Sequence, residues 1–416
     1  MKRLILIGLL VLTGIAVAAD KHMGVASCAS SVCHGSSTER SGANIFHSEY
    51  VIWGQRDPHA GAYNTLLNSA SKEMAAKLGI GPAHEAKVCL ACHSDYVPKE
   101  ERGPRFQLTD GVGCEACHGG SQRWLSSHTE KGATHQDNIS RGLTPLQDAD
   151  VRASVCVACH VGDSKRLASH DIMGAGHPRL QFELATYSRL WPSHHRDDDA
   201  YRARKQSPQS LQLWVAGQLR SARNVLEGLR GQQFMATPLW PELAFFDCHA
   251  CHAPMNADKW QPRAAGKLRP GAVRLNDSSL LMVGWMLEAS DPAAAARWKS
   301  GVAGLHAASQ QGREAIQQAS GALIRQIDDT LVRLRSGRLS GPDAGRLFQR
   351  MKADTLDATF NDYMTAEQVL MVMALLTEQL QGQSADLDVL YKSLSDQHRF
   401  RAEEFLRAMR QYDAGR

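Results

Sequence analysis

Gly111-Val-Gly-Cys114-Glu-Ala-Cys117-His118-Gly119 decides how this chain must be built. Two cysteines three positions apart, followed at once by histidine, form the attachment signature of a c-type haem. Thioethers from both cysteines hold the porphyrin, and the next residue is placed to coordinate the iron, so histidine there reads as the proximal ligand. Three further stretches follow the same rule: Cys89-Leu-Ala-Cys92-His93, Cys156-Val-Ala-Cys159-His160 and Cys248-His-Ala-Cys251-His252. A fifth, Cys28-Ala-Ser-Ser-Val-Cys33-His34, carries two extra residues in its gap. Together they use all 10 cysteines of the 416-residue chain. Structural zinc also uses paired cysteines but does not require a histidine directly after each pair. Disulfides suit an exported chain, yet they leave the histidines unexplained. The expectation is five covalently attached haem c groups. Cys28, Cys33, Cys89, Cys92, Cys114, Cys117, Cys156, Cys159, Cys248 and Cys251 would carry them, with His34, His93, His118, His160 and His252 as proximal ligands.

The leader agrees with that reading. Lys2 and Arg3 precede an apolar run from Leu4 to Val17, and Ala16-Val17-Ala18 offers a small-residue cleavage site. A run of about 14 residues is short for a membrane span. Residues 1–19 therefore read as a signal peptide, with no transmembrane span after cleavage. Haem attachment to cysteine takes place outside the bacterial cytoplasm, so the expected location is periplasmic.

The formal charge of +4 overstates basicity. Without Lys2 and Arg3 the chain holds 45 basic against 43 acidic residues, and five ferric haems with their propionates would bring the holoprotein to about −3. Nothing here suggests a nucleic-acid partner. Aromatic residues make up only 6%, and five porphyrins would supply apolar core instead.

Composition divides the chain. Residues 20–262 hold every cysteine and 16 of the 18 histidines, with short Gly- and His-rich loops; they read as a pentahaem cytochrome c domain. One helix stands out after Pro208, with Leu211, Trp214, Val215, Leu219, Ala222, Leu226 and Leu229 at helical spacing. Residues 275–416 lack motifs and read as a helical C-terminal region for packing or docking. Asp291-Pro292 is an N-cap with Pro at the first helical position. Ile324, Ile327, Leu331 and Leu334 form a stripe that stops near Gly337. Thr365-Ala-Glu-Gln368 reads as a capping box. Leu387 to Leu406 reads as one last helix. The expected fold class is mainly α: a loop-rich multihaem core with stacked haems, followed by a helical bundle.

Function turns on the sixth ligand of each iron. Two histidines close it for electron transfer, whereas an open position permits chemistry on a small molecule. The distal candidates are His47, His59 in Asp57-Pro-His59-Ala, His128 in Trp124-Leu-Ser-Ser-His128, His170, and His177 in Gly176-His-Pro178. The alternative for each is a hydrogen bond to a propionate. His194 and His195 are adjacent, which makes it hard for both to serve one haem, and the acidic run after them looks solvated. His249 sits inside its own motif and reads as pointing away from that iron. Met173 reads as packing rather than as a thioether ligand. His306 and His398 read as core or solvated side chains, and His22, His84 and His135 have no distinguishing context.

The order of these motifs resembles the multihaem cytochromes of the cytochrome c-554 family. The likeness rests on the early Cys28–His34 motif, the Trp53…His59-Ala segment, the Cys89 motif, the Gly111–Gly119 string, His128 and the Cys156 motif, over about residues 25–165. It implies a mainly α fold with haems in closely stacked pairs and His59 and His128 as distal ligands. It also implies an open iron at the Cys89/Cys92 haem. The wider first motif, the fifth haem, the Gly176-His177-Pro178 segment and the long C-terminal region depart from the family.

The leading expectation is a periplasmic electron carrier that passes electrons between redox partners, such as other redox proteins or a membrane quinol-oxidising complex. The alternative is a multihaem oxidoreductase acting on a small nitrogen or sulfur compound at an open haem, with Arg102, Arg105 and Arg123 available to an anion or, more simply, to propionates. All five motifs end in histidine, which argues against the lysine-ligated nitrite reductases. Oligomeric state is not legible in the sequence.

Overall fold

Leu213, Trp214, Leu219, Ala222, Leu226 and Leu229 are buried on the helix Ser210–Arg230, and that helix organises the molecule. In the computed structural model it packs against Ala149–His160 and Leu184–Leu190 from the motif-bearing part, and against Ser278–Ser290 and Arg313–Arg335 from the C-terminal part. The structure describes residues 20–40, 45–195, 197–205, 207–231, 242–252, 268, 272–382 and 387–414. The expected signal peptide at 1–19 lies outside them. The fold is mainly α, and among the described residues no strand forms beyond two isolated bridges, His22 with Arg102 and Phe246 with Leu275. Among these residues, no helix is long and apolar enough to cross a membrane.

One apolar core runs from Ala153 on the fourth motif's helix to Tyr412 near the C-terminus. Leu219, Leu226, Leu305, Ile316, Leu323, Val369 and Leu376 are all fully buried in it. Each such side chain contributes about 1.5–3 kcal/mol relative to exposure. The core is sparse over residues 45–110, where Leu66, Ala75, Ala83 and Leu90 make a small separate cluster. That is the pattern of a chain that leaves its centre for cofactors.

The C-terminal helices follow local signals with two corrections. Asp291 caps Pro292–Ala308 by accepting from the Ala294 amide, with Pro292 at the first position, as read. The helix Tyr363–Gln381 is capped by Asp362, which accepts from the Thr365 amide at 2.7 Å. Thr365 is therefore buried inside the first turn and is not the cap. A carboxylate at the N-cap satisfies the Thr365 amide and starts the helix three residues earlier, which puts Thr365 in helical backbone. The single last helix is instead two, Asp388–Ser393 and Ala402–Ala414. Between them Asp396 accepts from the His398 amide and turns the backbone locally, which competes with continued helix.

Candidate functional site

Four of the five motifs lie on helical turns: Lys87–His93, Cys114–His118, Ala149–His160 and Cys248–Ala250. A helical turn brings cysteines i and i+3 onto one face and places the next residue beside them. The wider first motif closes as a looped turn instead, with the His34 amide donating to the Cys28 carbonyl at 3.2 Å. No disulfide joins any two of the ten cysteines.

Backbone contacts explain the Gly-Val-Gly string. Gly111 has φ +72°, and a Cβ there would lie 2.6 Å from the His59 carbonyl oxygen. The Val112 amide donates to that same oxygen at 3.0 Å, and Trp53 Nε1 donates to the Val112 carbonyl at 3.1 Å. Only glycine lets the third motif dock against the Asp57-Pro58-His59 turn this closely. Within the motif, Glu115 is buried and accepts from the Met23, Gly24 and Ser121 amides, each at 2.7 Å. His22 and Asp95 lie beside it, with His22 Nδ1 2.7 Å from Asp95. The Glu115 oxygens are taken by three N–H donors, so this cluster is a hydrogen-bonded bracket for the N-terminal segment.

The histidines form pairs. His34 stacks on His128 with ring centroids 6.3 Å apart. His93 faces His177 at 6.3 Å, His118 faces His194 at 6.2 Å, His160 faces His59 at 5.8 Å and His252 faces His170 at 6.2 Å. Every motif histidine therefore stands opposite one histidine from outside the motifs. Two imidazoles sharing one metal, each with a nitrogen at about 2.0–2.1 Å, put their centroids roughly 6.3 Å apart. The pairs fit a metal between them.

Hydrogen bonds at the far ring nitrogens orient several of these side chains. Nδ1 lies near Glu49 Oε2 in His34 (3.0 Å), Asp57 Oδ1 in His59 (2.8 Å), the Ala62 carbonyl in His93 (3.0 Å), the Trp124 carbonyl in His128 (3.2 Å) and the Pro178 carbonyl in His177 (2.7 Å). Engagement of Nδ1 leaves Nε2 for a metal and fixes the ring orientation. Asp57 is itself held by Trp191 Nε1 at 2.7 Å. Burial pushes His118 down to about 3 and His160 down to about 4, and it lowers His93 and His194 as well. These rings are neutral, the form that ligates. Glu49 and Asp57 raise His34 and His59 by hydrogen bonding, against burial. Buried polar atoms near the first and third motifs also lack protein partners: Ser48 Oγ, Ser121 Oγ and Trp124 Nε1. Buried donors are nearly always satisfied, and haem propionates are acceptors of the right kind.

Neighbouring motifs touch through their cysteines. The Cys28 and Cys114 sulfurs lie beside each other, as do those of Cys92 and Cys159. Cys117 is partly buried, with Cys156 and Cys159 nearby.

The named distal candidates fall out as follows. His59, His128, His170 and His177 each face a motif histidine. His47 faces none in the described ring contacts; it has φ +60°, and its Nδ1 lies 2.6 Å from the Cys33 carbonyl oxygen. His194, not among the distal candidates because it adjoins His195 and an acidic run that looks solvated, stands opposite His118. The available signal was the Trp191-Pro192 turn before it, since Trp191 packs on its ring at 5.1 Å. His177 opposes His93, the place where the family likeness implied an open iron. Of the three arginines, Arg123 pairs with Asp20 at 2.6 Å, Arg102 donates to the Val97 carbonyl at 2.9 Å, and Arg105 donates to the Ala26 carbonyl at 3.3 Å. His306 is a core side chain, 2.9 Å from Asp277.

Residues 27–119 match the family model described as cytochrome c554 and c-prime. Cytochrome c-554 of Nitrosomonas europaea is 31% identical over 97 residues, which is 22% of this chain and 40% of that protein. The chain thus spans well under half the length of that curated relative. The family match holds the first three motifs and His59, and it stops short of His128 and the fourth motif, which the motif order alone had included. No solved structure matches the chain.

Proposed function

We propose, from the premise that residues 27–119 belong to the cytochrome c554 family, that this protein is an exported electron-transfer cytochrome with five haem c groups, each iron closed by two histidines. Haem c supplies reversible one-electron chemistry without a substrate. The ligand pairs are His34/His128, His93/His177, His118/His194, His160/His59 and His252/His170. The observation that carries the reading is that every motif histidine has one such partner at 5.8–6.3 Å.

The spatial order of the motifs supports a conducting role. Cys28 meets Cys114, and Cys92 meets Cys159, so the first motif adjoins the third and the second adjoins the fourth. Cys117 lies near Cys156 and joins the two pairs. The short helix His170–Ala175 begins at the partner of His252, and His177 just beyond it serves His93, which links the second motif to the fifth. The order in space is first, third, fourth, second, fifth. The end motifs reach the surface: Val32 is 69% exposed and Cys251 is exposed. These ends are where periplasmic redox partners, or a membrane quinol-oxidising complex, would meet the protein.

Electron paramagnetic resonance of the oxidised protein, with haem counted by pyridine haemochrome, tests the proposal. Five haems per chain with low-spin signals alone are expected. A high-spin signal that shifts with nitric oxide would sink the closed-iron reading and restore the open-haem alternative.

A further inference from the structure

The fifth motif lies outside the family match, and so do the C-terminal helices; the structure joins them. Its flanks are stitched to the start of Ser278–Ser290 by backbone hydrogen bonds. The Asp247 amide donates to the Arg274 carbonyl at 2.9 Å, and the Asn276 amide donates to the Phe245 carbonyl at 2.8 Å. His249, the residue between the two cysteines, inserts into the C-terminal part. Its Nε2 lies 2.7 Å from the Gln397 carbonyl oxygen, and its ring packs on Tyr363 at 5.8 Å and Phe400 at 5.9 Å.

A second bridge approaches from the distal side. Arg179 follows His177 by two residues and pairs with Glu367 through both carboxylate oxygens, at 3.0 and 3.2 Å. Its guanidinium also lies over the Tyr363 ring at 5.5 Å. Both members of the ion pair are largely buried, at 16% and 7% side-chain exposure. A cavity opens between the two parts, and Cys248, Met173, Arg179, Phe245, Ser279 and Glu367 are among its lining residues. Cys248 at that wall, and Met173 on the helix that begins with His170, place the cavity at the fifth motif. A module kept only for docking would not need to enclose a haem-bearing cysteine.

We propose that the C-terminal helices form the outer wall of the fifth haem site and that His249 is the positioning residue that hangs the motif on them. This rests on the five-haem reading above. Its substance is that Tyr363, Phe400 and the Gln397 carbonyl set the orientation of the Cys248–His252 turn, and through it the angle at which His252 meets His170.

The test uses the full-length holoprotein and the variants His249→Leu and Tyr363→Leu. Haem per chain is read by intact mass, and each iron by electron paramagnetic resonance and a redox titration. Both variants are expected to shift one of the five low-spin signals and one of the five potentials, leaving four in place. His249→Gln, whose amide can donate to the Gln397 carbonyl, is expected to move them back. In the wild-type protein, a urea titration should show amide protection of residues 363–400 and the fifth low-spin signal disappearing together. Five unaltered signals and potentials in the variants, or C-terminal helices that unfold while the fifth signal persists, overturn the proposal alone. A wild-type mass showing four haems, with Cys248 and Cys251 unmodified, overturns the five-haem reading and this proposal with it.

Discussion

Glu115→Gln is the most direct probe of how the third motif holds its surroundings. The wild-type carboxylate is 3% exposed and accepts three backbone N–H bonds at 2.7 Å, from Met23, Gly24 and Ser121. Hydrogen bonds to a charged group contribute about 1.5–3 kcal/mol each. A glutamine oxygen can still accept two of them, but its NH2 then faces the third donor. One charged bond is lost and one buried N–H is orphaned, for a net cost of about 2–4 kcal/mol. The loss is local, because the bracket ties the N-terminal segment carrying Cys28 onto the motif carrying Cys114. At about 1.4 kcal/mol per factor of ten, the amides of Met23, Gly24 and Ser121 should exchange roughly 30- to 700-fold faster. Hydrogen exchange read by mass spectrometry on peptides covering 20–27 and 119–125 measures this directly, with the Pro292–Ala308 helix as internal control. Acceleration below about threefold in both peptides would refute the view that Glu115 is the clamp.

Three other outcomes follow from the same geometry. His177→Ala should convert one iron, that of the Cys89/Cys92 site, to a high-spin form that binds nitric oxide; a spectrum that stays wholly low-spin would remove His177 as its ligand. Gly111→Ala forces a Cβ to within 2.6 Å of the His59 carbonyl at φ +72°, at a cost of about 1–3 kcal/mol. It should perturb only the low-spin signal of the fourth-motif iron, which paramagnetic resonance resolves. Asp291→Ala removes the cap of Pro292–Ala308 and should cost about 0.5–2 kcal/mol in chemical denaturation. Asp291 is held below the usual carboxylate range by the Ala294 amide and then by Arg333. A depressed folded-state value means its contribution is present above about pH 4, the unfolded value, and fades as pH falls through the folded value. The gap between wild type and Asp291→Ala should therefore narrow in acid, and a gap constant from pH 6 to below pH 3 would contradict the assignment.

Much of the fold was legible where the signal is local. The helix after Pro208 carries its apolar residues at helical spacing and is found at Ser210–Arg230. Asp291-Pro292 is a cap because an N-cap needs only the first turn of its own helix. Thr365 failed for the same kind of reason: two capping side chains three residues apart compete, and the choice depends on how the chain enters the helix. The break between Leu394 and Ala402 was hidden because apolar spacing continues across it while Asp396 turns the backbone. At the site, His59 and His128 had local context and the family likeness behind them. His194 had neither, because the acidic residues after it suggested solvent, while the Trp191 ring and the approach of His118 come from elsewhere in the chain.

The Cys-Cys-His units are legible without coordinates because the thioether attachment and proximal ligation proposed for them involve neighbouring residues on one turn of chain. The pairing of irons is not. A distal ligand needs no particular sequence separation: neighbours such as Asp57 and the Trp124 carbonyl aim the rings of His59 and His128, but which motif histidine each ring faces is set by packing. Packing also decided that His47 rests on the Cys33 carbonyl while His194 faces His118, and that the motifs run first, third, fourth, second, fifth in space. The C-terminal helices announced themselves as helices. That they close over the Cys248–His252 turn follows only from tertiary contacts, chiefly His249 on Gln397 and Arg179 on Glu367, between groups far apart in the chain.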